Sequence, residues 1–133
     1  MRPYTTLKRM PNIELVKAVR FEAAHRLPNV PEGHKCQRLH GHSYRVELCL
    51  RGPIGETSGW LVDYSDIAAA WKPLHEVLDH YYLNEIEGLE NPTSEVLAMW
   101  IWDRIRASLP DLYRITVHET CTSSCSYFGP NAP

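Results

Sequence analysis

The sequence holds no apolar run approaching the roughly 20 residues that cross a bilayer as a helix, and no block of lysine and arginine. The first absence argues against a membrane as partner. The second argues against nucleic acid, because following a phosphate backbone takes a concentrated stripe of positive charge. A formal charge of −2, from 14 basic and 16 acidic residues, points the same way. Residues 1–11 lack the apolar stretch of a secretion signal, so a cytoplasmic location is expected. Thiols stay reduced there, and Cys36, Cys49, Cys121 and Cys125 read as free cysteines rather than a disulfide framework. Internal repeats and low-complexity tracts are absent too.

What is present is 133 residues, 44% of them hydrophobic, with four tryptophans. That is enough for one core and too little for two ordinary domains. Residues 1–11, with Pro3 and Pro11 and no periodicity, read as an N-terminal arm, and residues 12–133 as one domain. Ile13, Leu15, Val19, Phe21 and Ala23 alternate, interrupted only by Lys17, which predicts a half-buried strand with His25 on the same face. The stretch 27–39 carries Pro28, Pro31 and Gly33 and reads as a long loop. A second strand runs from His40 to Arg51, with His42, Tyr44, Val46, Leu48 and Leu50 on one face and Gly52-Pro53 as its stop. The two strands should pair antiparallel.

Ile67, Trp71, Leu74 and Leu78 then recur at helical spacing, capped by Asp63 or Ser65, and Pro73 predicts a kink or break near Lys72. A second helix starts at Thr93, between Pro92 and Glu95, and is stopped by Pro110. Strands at Tyr113–Cys121 and Cys125–Phe128 complete a ββααββ order. The class is α+β, with an antiparallel sheet and two helices.

Two residues apart on a strand, His40 and His42 leave the same face and can reach one ion at about 2.0 to 2.1 Å. Antiparallel pairing brings the end of the first strand, and His25 with it, beside the start of the second. Three neutral imidazoles favour zinc and leave one position open to substrate. Two other readings stay open. His-Gly-His can be a surface pair with His25 a hydrogen-bonded core residue, or Cys36 can close a structural three-His, one-Cys tetrahedron.

Glu119 shares a face with Tyr113, Ile115 and Val117, where an unpaired carboxylate is costly, so it meets either an arginine or a ligand. Asp79-His80 ends the first helix, either as an exposed pair or as a carboxylate holding an imidazole in one tautomer. His34, His75 and His118 show no clustering and read as ordinary polar positions.

Taken together, Phe21-x-Ala23-Ala24-His25, Cys36-x3-His40-Gly41-His42, Leu78-Asp79-His80, Pro92-Thr93-x-Glu95 and Glu119-Thr120 resemble the 6-pyruvoyltetrahydropterin synthase family. The likeness spans about residues 12–129. The three residues between Cys36 and His40 match its bacterial branch, which forms 6-carboxy-5,6,7,8-tetrahydropterin in queuosine biosynthesis. The resemblance implies the tunnelling fold, in which three subunits close a barrel and two barrels stack into a homohexamer with active sites at subunit interfaces. It implies zinc on His25, His40 and His42, and proton transfer by Cys36 with Asp79 and His80. It assigns the pterin ring to Glu119, with Thr93 assisting. The implied substrate is 7,8-dihydroneopterin triphosphate, and the products are 6-carboxytetrahydropterin, acetaldehyde and triphosphate. Two rivals remain, a family member that keeps the side chain as a pyruvoyl group and a non-catalytic zinc-stabilised binding domain.

Overall fold

The computed structural model of the protein describes residues 10–133. Residues 1–9 of the expected arm lie outside them, while Pro11 already accepts a hydrogen bond from the Ile54 amide at 3.0 Å. Strand β1, Asn12–His25, and strand β2, His40–Pro53, form one uninterrupted antiparallel ladder, from Asn12 opposite Pro53 to His25 opposite His40. Directly opposed residues share a face, so Phe21 meets Tyr44 and Ala23 meets His42 on the side that the alternation marked as apolar. The Phe21 and Tyr44 rings stack with centroids 4.8 Å apart.

Helix α1, Tyr64–Leu78, and helix α2, Ser94–Ile105, cover that face. Ile67, Trp71, Leu74 and Leu78 of α1 join Leu97, Ile101 and Ile105 of α2 and Val46, Leu48, Ile115 and Val117 of the sheet in one buried core. Burying an aliphatic side chain contributes about 1.5 to 3 kcal/mol relative to leaving it exposed, so this shared face is the main source of stability. Strand β4, Leu112–His118, pairs with β2, and β5, Ser124–Tyr127, pairs with β4. The opposite face of the sheet is polar. Ser43 donates to Glu22 at 2.6 Å, and Glu47 meets His118, Arg45 and Arg114.

Three expectations need correction. The sheet has five strands in the order β3-β1-β2-β4-β5 and is mixed, because β3, Tyr81–Tyr82, pairs parallel with β1 at Ala23 and Ala24. Two residues carry no readable period, which is why β3 escaped the alternation. Helix α1 runs through Pro73 as one helix. Pro73 and Ala69, whose carbonyl loses its partner, both lie on the exposed side, where water can replace the missing donor. Strand β4 ends at His118, short of the expected Cys121, so Glu119 sits just past the strand. All four cysteines are free, and among the described residues no helix is long and apolar enough to cross a membrane.

Candidate metal centre

The β1–β2 register sets His25 beside His40, with His42 one step further along the same face. Backbone carbonyls orient two of the rings. His25 Nδ1 is 2.9 Å from the Pro92 carbonyl, and His40 Nδ1 is 2.7 Å from the Arg38 carbonyl. A carbonyl only accepts, so each Nδ1 carries the proton and each Nε2 presents a bare lone pair. Those two Nε2 atoms stand 3.0 Å apart. Two lone pairs so close repel each other unless a cation lies between them. The donor chemistry therefore fits a metal ion.

His42 Nε2 is buried and has no aligned hydrogen-bond partner, although Glu119 Oε1 is 3.0 Å away. The donor atoms of His25, His40, His42 and Glu119 all lie within 4.8 Å of one another. Burial pushes the imidazoles of His25 and His42 below the ordinary histidine range, against the opposing pull of Glu119. Both are then neutral near pH 7, the form that binds a metal. The Tyr44 hydroxyl, 3.1 Å from His25 Nδ1, is pushed up first by burial and then by the Glu119 carboxylate, so it stays protonated.

His25 is fully buried and hydrogen-bonded, as a core histidine would be, yet its free nitrogen faces two more imidazoles rather than apolar side chains. The donor that joins the three histidines is Glu119; Cys36 is not in the convergent group. Cys36 lies half-buried in a single turn, Lys35–Gln37, tied by its backbone: its carbonyl accepts from the Leu27 amide at 2.8 Å and its amide donates to His34 Nδ1 at 3.1 Å.

Glu119 meets histidines and a serine, not the arginine weighed from sequence; Ser94 Oγ donates to its Oε2 at 2.6 Å. The Thr93 hydroxyl caps α2 by accepting from the Val96 amide at 3.1 Å. Asp79 and His80 form the expected pair, His80 Nδ1 to Asp79 Oδ2 at 2.8 Å. The Glu22 amide donates to the other Asp79 oxygen at 2.9 Å, and this bond, followed by that from His80, holds the Asp79 carboxyl below its usual range. His75, read as ordinary, reaches Asp79 at 3.6 Å.

His42 and His80 border one open cleft of about 460 Å³, with Gly41 and Tyr82 between them. A second cleft of about 600 Å³ brings Arg20 and Arg45 together with His42 and Glu119. Ser94 and the carbonyls of Arg38 and Pro92 are parts of the site that the sequence did not reveal. Tyr44 continues the His40, His42 alternation and is readable on that ground as a neighbour of the histidines.

Residues 14–130 match the family described as 6-pyruvoyl tetrahydropterin synthase. A Synechocystis sp. protein named 6-carboxy-5,6,7,8-tetrahydropterin synthase is 45% identical over 122 residues, covering 87% of this chain and 93% of its own length. A Bacillus subtilis protein of the same name is 35% identical over 128 residues, covering 87% and 85%. The solved structure of the Caenorhabditis elegans 6-pyruvoyl tetrahydropterin synthase superposes with a TM-score of 0.85 at 27% identity, covering 92% of this chain and 99% of that one.

Proposed function

This chain belongs to the 6-pyruvoyl tetrahydropterin synthase family of enzymes, and from that premise we propose that it converts 7,8-dihydroneopterin triphosphate and water to 6-carboxy-5,6,7,8-tetrahydropterin, acetaldehyde and triphosphate. Its subunit has the tunnelling fold. The observation that supports a metal-dependent reaction most directly is the convergence of three imidazoles, two of them oriented by backbone carbonyls, with Glu119. In this reading His25, His40 and His42 hold zinc, which when bound acts as a Lewis acid toward the substrate's side-chain hydroxyls.

The chain's own groups do the rest. Cys36 removes a proton from the substrate side chain; its loop carries Pro31 and Gly33 and leads directly into His40 along the chain. His80, held in one orientation by Asp79, returns a proton across the cleft it shares with His42. Glu119 accepts two parallel hydrogen bonds from the amine and ring N–H of the pterin. Thr93 contributes by starting α2, which fixes the Pro92 carbonyl behind His25 and the Ser94 hydroxyl behind Glu119. The activity fits a cytoplasmic role in queuosine biosynthesis.

The deciding experiment is product analysis after incubation with 7,8-dihydroneopterin triphosphate and zinc. Acetaldehyde should appear in equal amount with the carboxylated pterin. A pyruvoyl product without acetaldehyde would replace this reading with triphosphate elimination alone. Unfolding, rather than simple loss of turnover, on chelation would point to a zinc-stabilised binding domain.

Assembly belongs to the same proposal. The sheet ends in two short edge strands, β3 and β5, whose outer edges pair with no further strand among the described residues, and an open edge invites pairing with another strand. Closure of three sheets into a barrel and stacking of two barrels would satisfy them, giving a homohexamer with active sites at subunit interfaces. Light scattering at micromolar concentration should return six subunits; a monomer would contradict the assembly.

A further inference from the structure

Glu119 stands where an open metal position was expected. Its Oε1 lies 3.0 Å from His42 Nε2 and 3.8 Å from His25 Nε2, and those two histidines with His40 complete a four-donor group. Donors bound to one tetrahedral zinc at about 2.0 to 2.2 Å stand about 3.3 to 3.6 Å apart; these two separations bracket that range, and the four donors together lie within 4.8 Å of one another. The second oxygen is engaged elsewhere, by the hydroxyl of Ser94 at 2.6 Å. The carboxylate therefore offers the histidines one oxygen, in the manner of a single ligand.

We propose that Glu119 is the fourth ligand of the resting ion, and that the incoming pterin draws the same carboxylate away and so opens the metal to the substrate. Ser94 is the positioning residue that holds the resting pose. The proposal rests on the zinc and pterin assignments above and adds the identity of the group that closes the ion before substrate arrives. It follows from a count of oxygens. Recognising an amine and a ring N–H by two parallel bonds uses both oxygens of a carboxylate. The resting pose commits Oε1 to the imidazoles and Oε2 to Ser94. One side chain cannot hold both poses at once, so binding of the ring and release of the metal position are a single event.

The consequence is selectivity. A ligand carrying the hydroxylated side chain but no pterin ring would meet a closed ion, and water is kept off the metal until the correct ring is present. The sequence of Glu119 just past the end of β4, outside the ladder, leaves its side chain free of the strand's own hydrogen bonding while it makes this change.

Cobalt(II) in place of zinc makes the coordination visible, because its absorption bands respond to the number and kind of donors. In the intact protein loaded with cobalt, addition of a pterin lacking the triphosphate side chain should shift the bands toward those of a site that has lost its carboxylate. Glu119→Gln should bind cobalt at least about 100-fold more weakly and show bands that the pterin no longer moves, and Ser94→Ala should weaken cobalt by about 10-fold. Circular dichroism identifies any variant that fails to fold, and the pterin titration of the unmodified protein needs no variant. Wild-type affinity and bands in Glu119→Gln, or bands in the unmodified protein that do not respond to pterin, would overturn the proposal. Failure of the unmodified protein to bind cobalt at all would instead overturn the metal reading beneath it.

Discussion

Replacing His25 with alanine is expected to remove bound zinc and abolish turnover together, with a measurable loss of fold stability. His25 is completely buried, and its ring links three parts of the chain: β1, the Tyr44 hydroxyl on β2 and the Pro92 carbonyl that precedes α2. The substitution deletes a ligand and leaves a buried carbonyl and a buried hydroxyl without their partner, at about 1 to 3 kcal/mol for each such group. His40→Ala and His42→Ala should lose zinc as well, with a smaller change in stability, because both rings are only half-buried. Metal content, turnover and chemical denaturation on the three variants make the test. A variant that keeps one zinc per subunit removes that histidine from the ligand set.

For Cys36 the expected result is the reverse separation. Cys36→Ala should keep its zinc while turnover falls by about 10² to 10⁴-fold, the loss typical of a missing acid–base group. The structural basis is that four other side chains already converge without Cys36. The cysteine is fixed through its backbone, to Leu27 and His34, which positions the thiol without committing it to a donor group. Were it a fourth zinc ligand, the same substitution would lower metal affinity and stability together. Zinc content and single-turnover rate measured on one preparation decide between the two. A fall in both, or an untouched rate, would remove Cys36 from the role of base.

The histidine geometry is legible in the sequence because it depends on a period of two. Once Ile13 to Ala23 and His42 to Leu50 each define a face, the antiparallel ladder leaves His25, His40 and His42 no other side. The supporting atoms were not readable, since the groups behind His25 and His40 are carbonyls, and every residue has one. Pro92 and Arg38 hold these roles through the paths of their loops, which no side-chain pattern encodes. Ser94 was hidden by its neighbour. Thr93 carries the capping signal, and the next hydroxyl in the chain, with no signal of its own, is the one that holds Glu119. Glu119 itself was placed on the correct face, although β4 stops one residue before it. That α1 does not break at Pro73 was not readable for a related reason: sequence shows which donor is missing but not whether water can reach the carbonyl left behind.

His80 is the only described residue other than glycine with a positive φ, 62°, a left-handed conformation that the hydrogen bond donated by its N–H to the Glu22 carbonyl at 2.6 Å helps to hold. Asparagine, aspartate, histidine and glycine tolerate that region far better than β-branched or bulky residues. The backbone thus restricts the alphabet available at position 80 before any chemistry does. A histidine at position 80 therefore says less about catalysis than the histidines at positions 40 and 42, where the extended strand sets no such backbone limit. The same restriction bears on the choice of substitution. Alanine at 80 mixes a lost imidazole with a disturbed turn, whereas asparagine keeps the turn and isolates the imidazole.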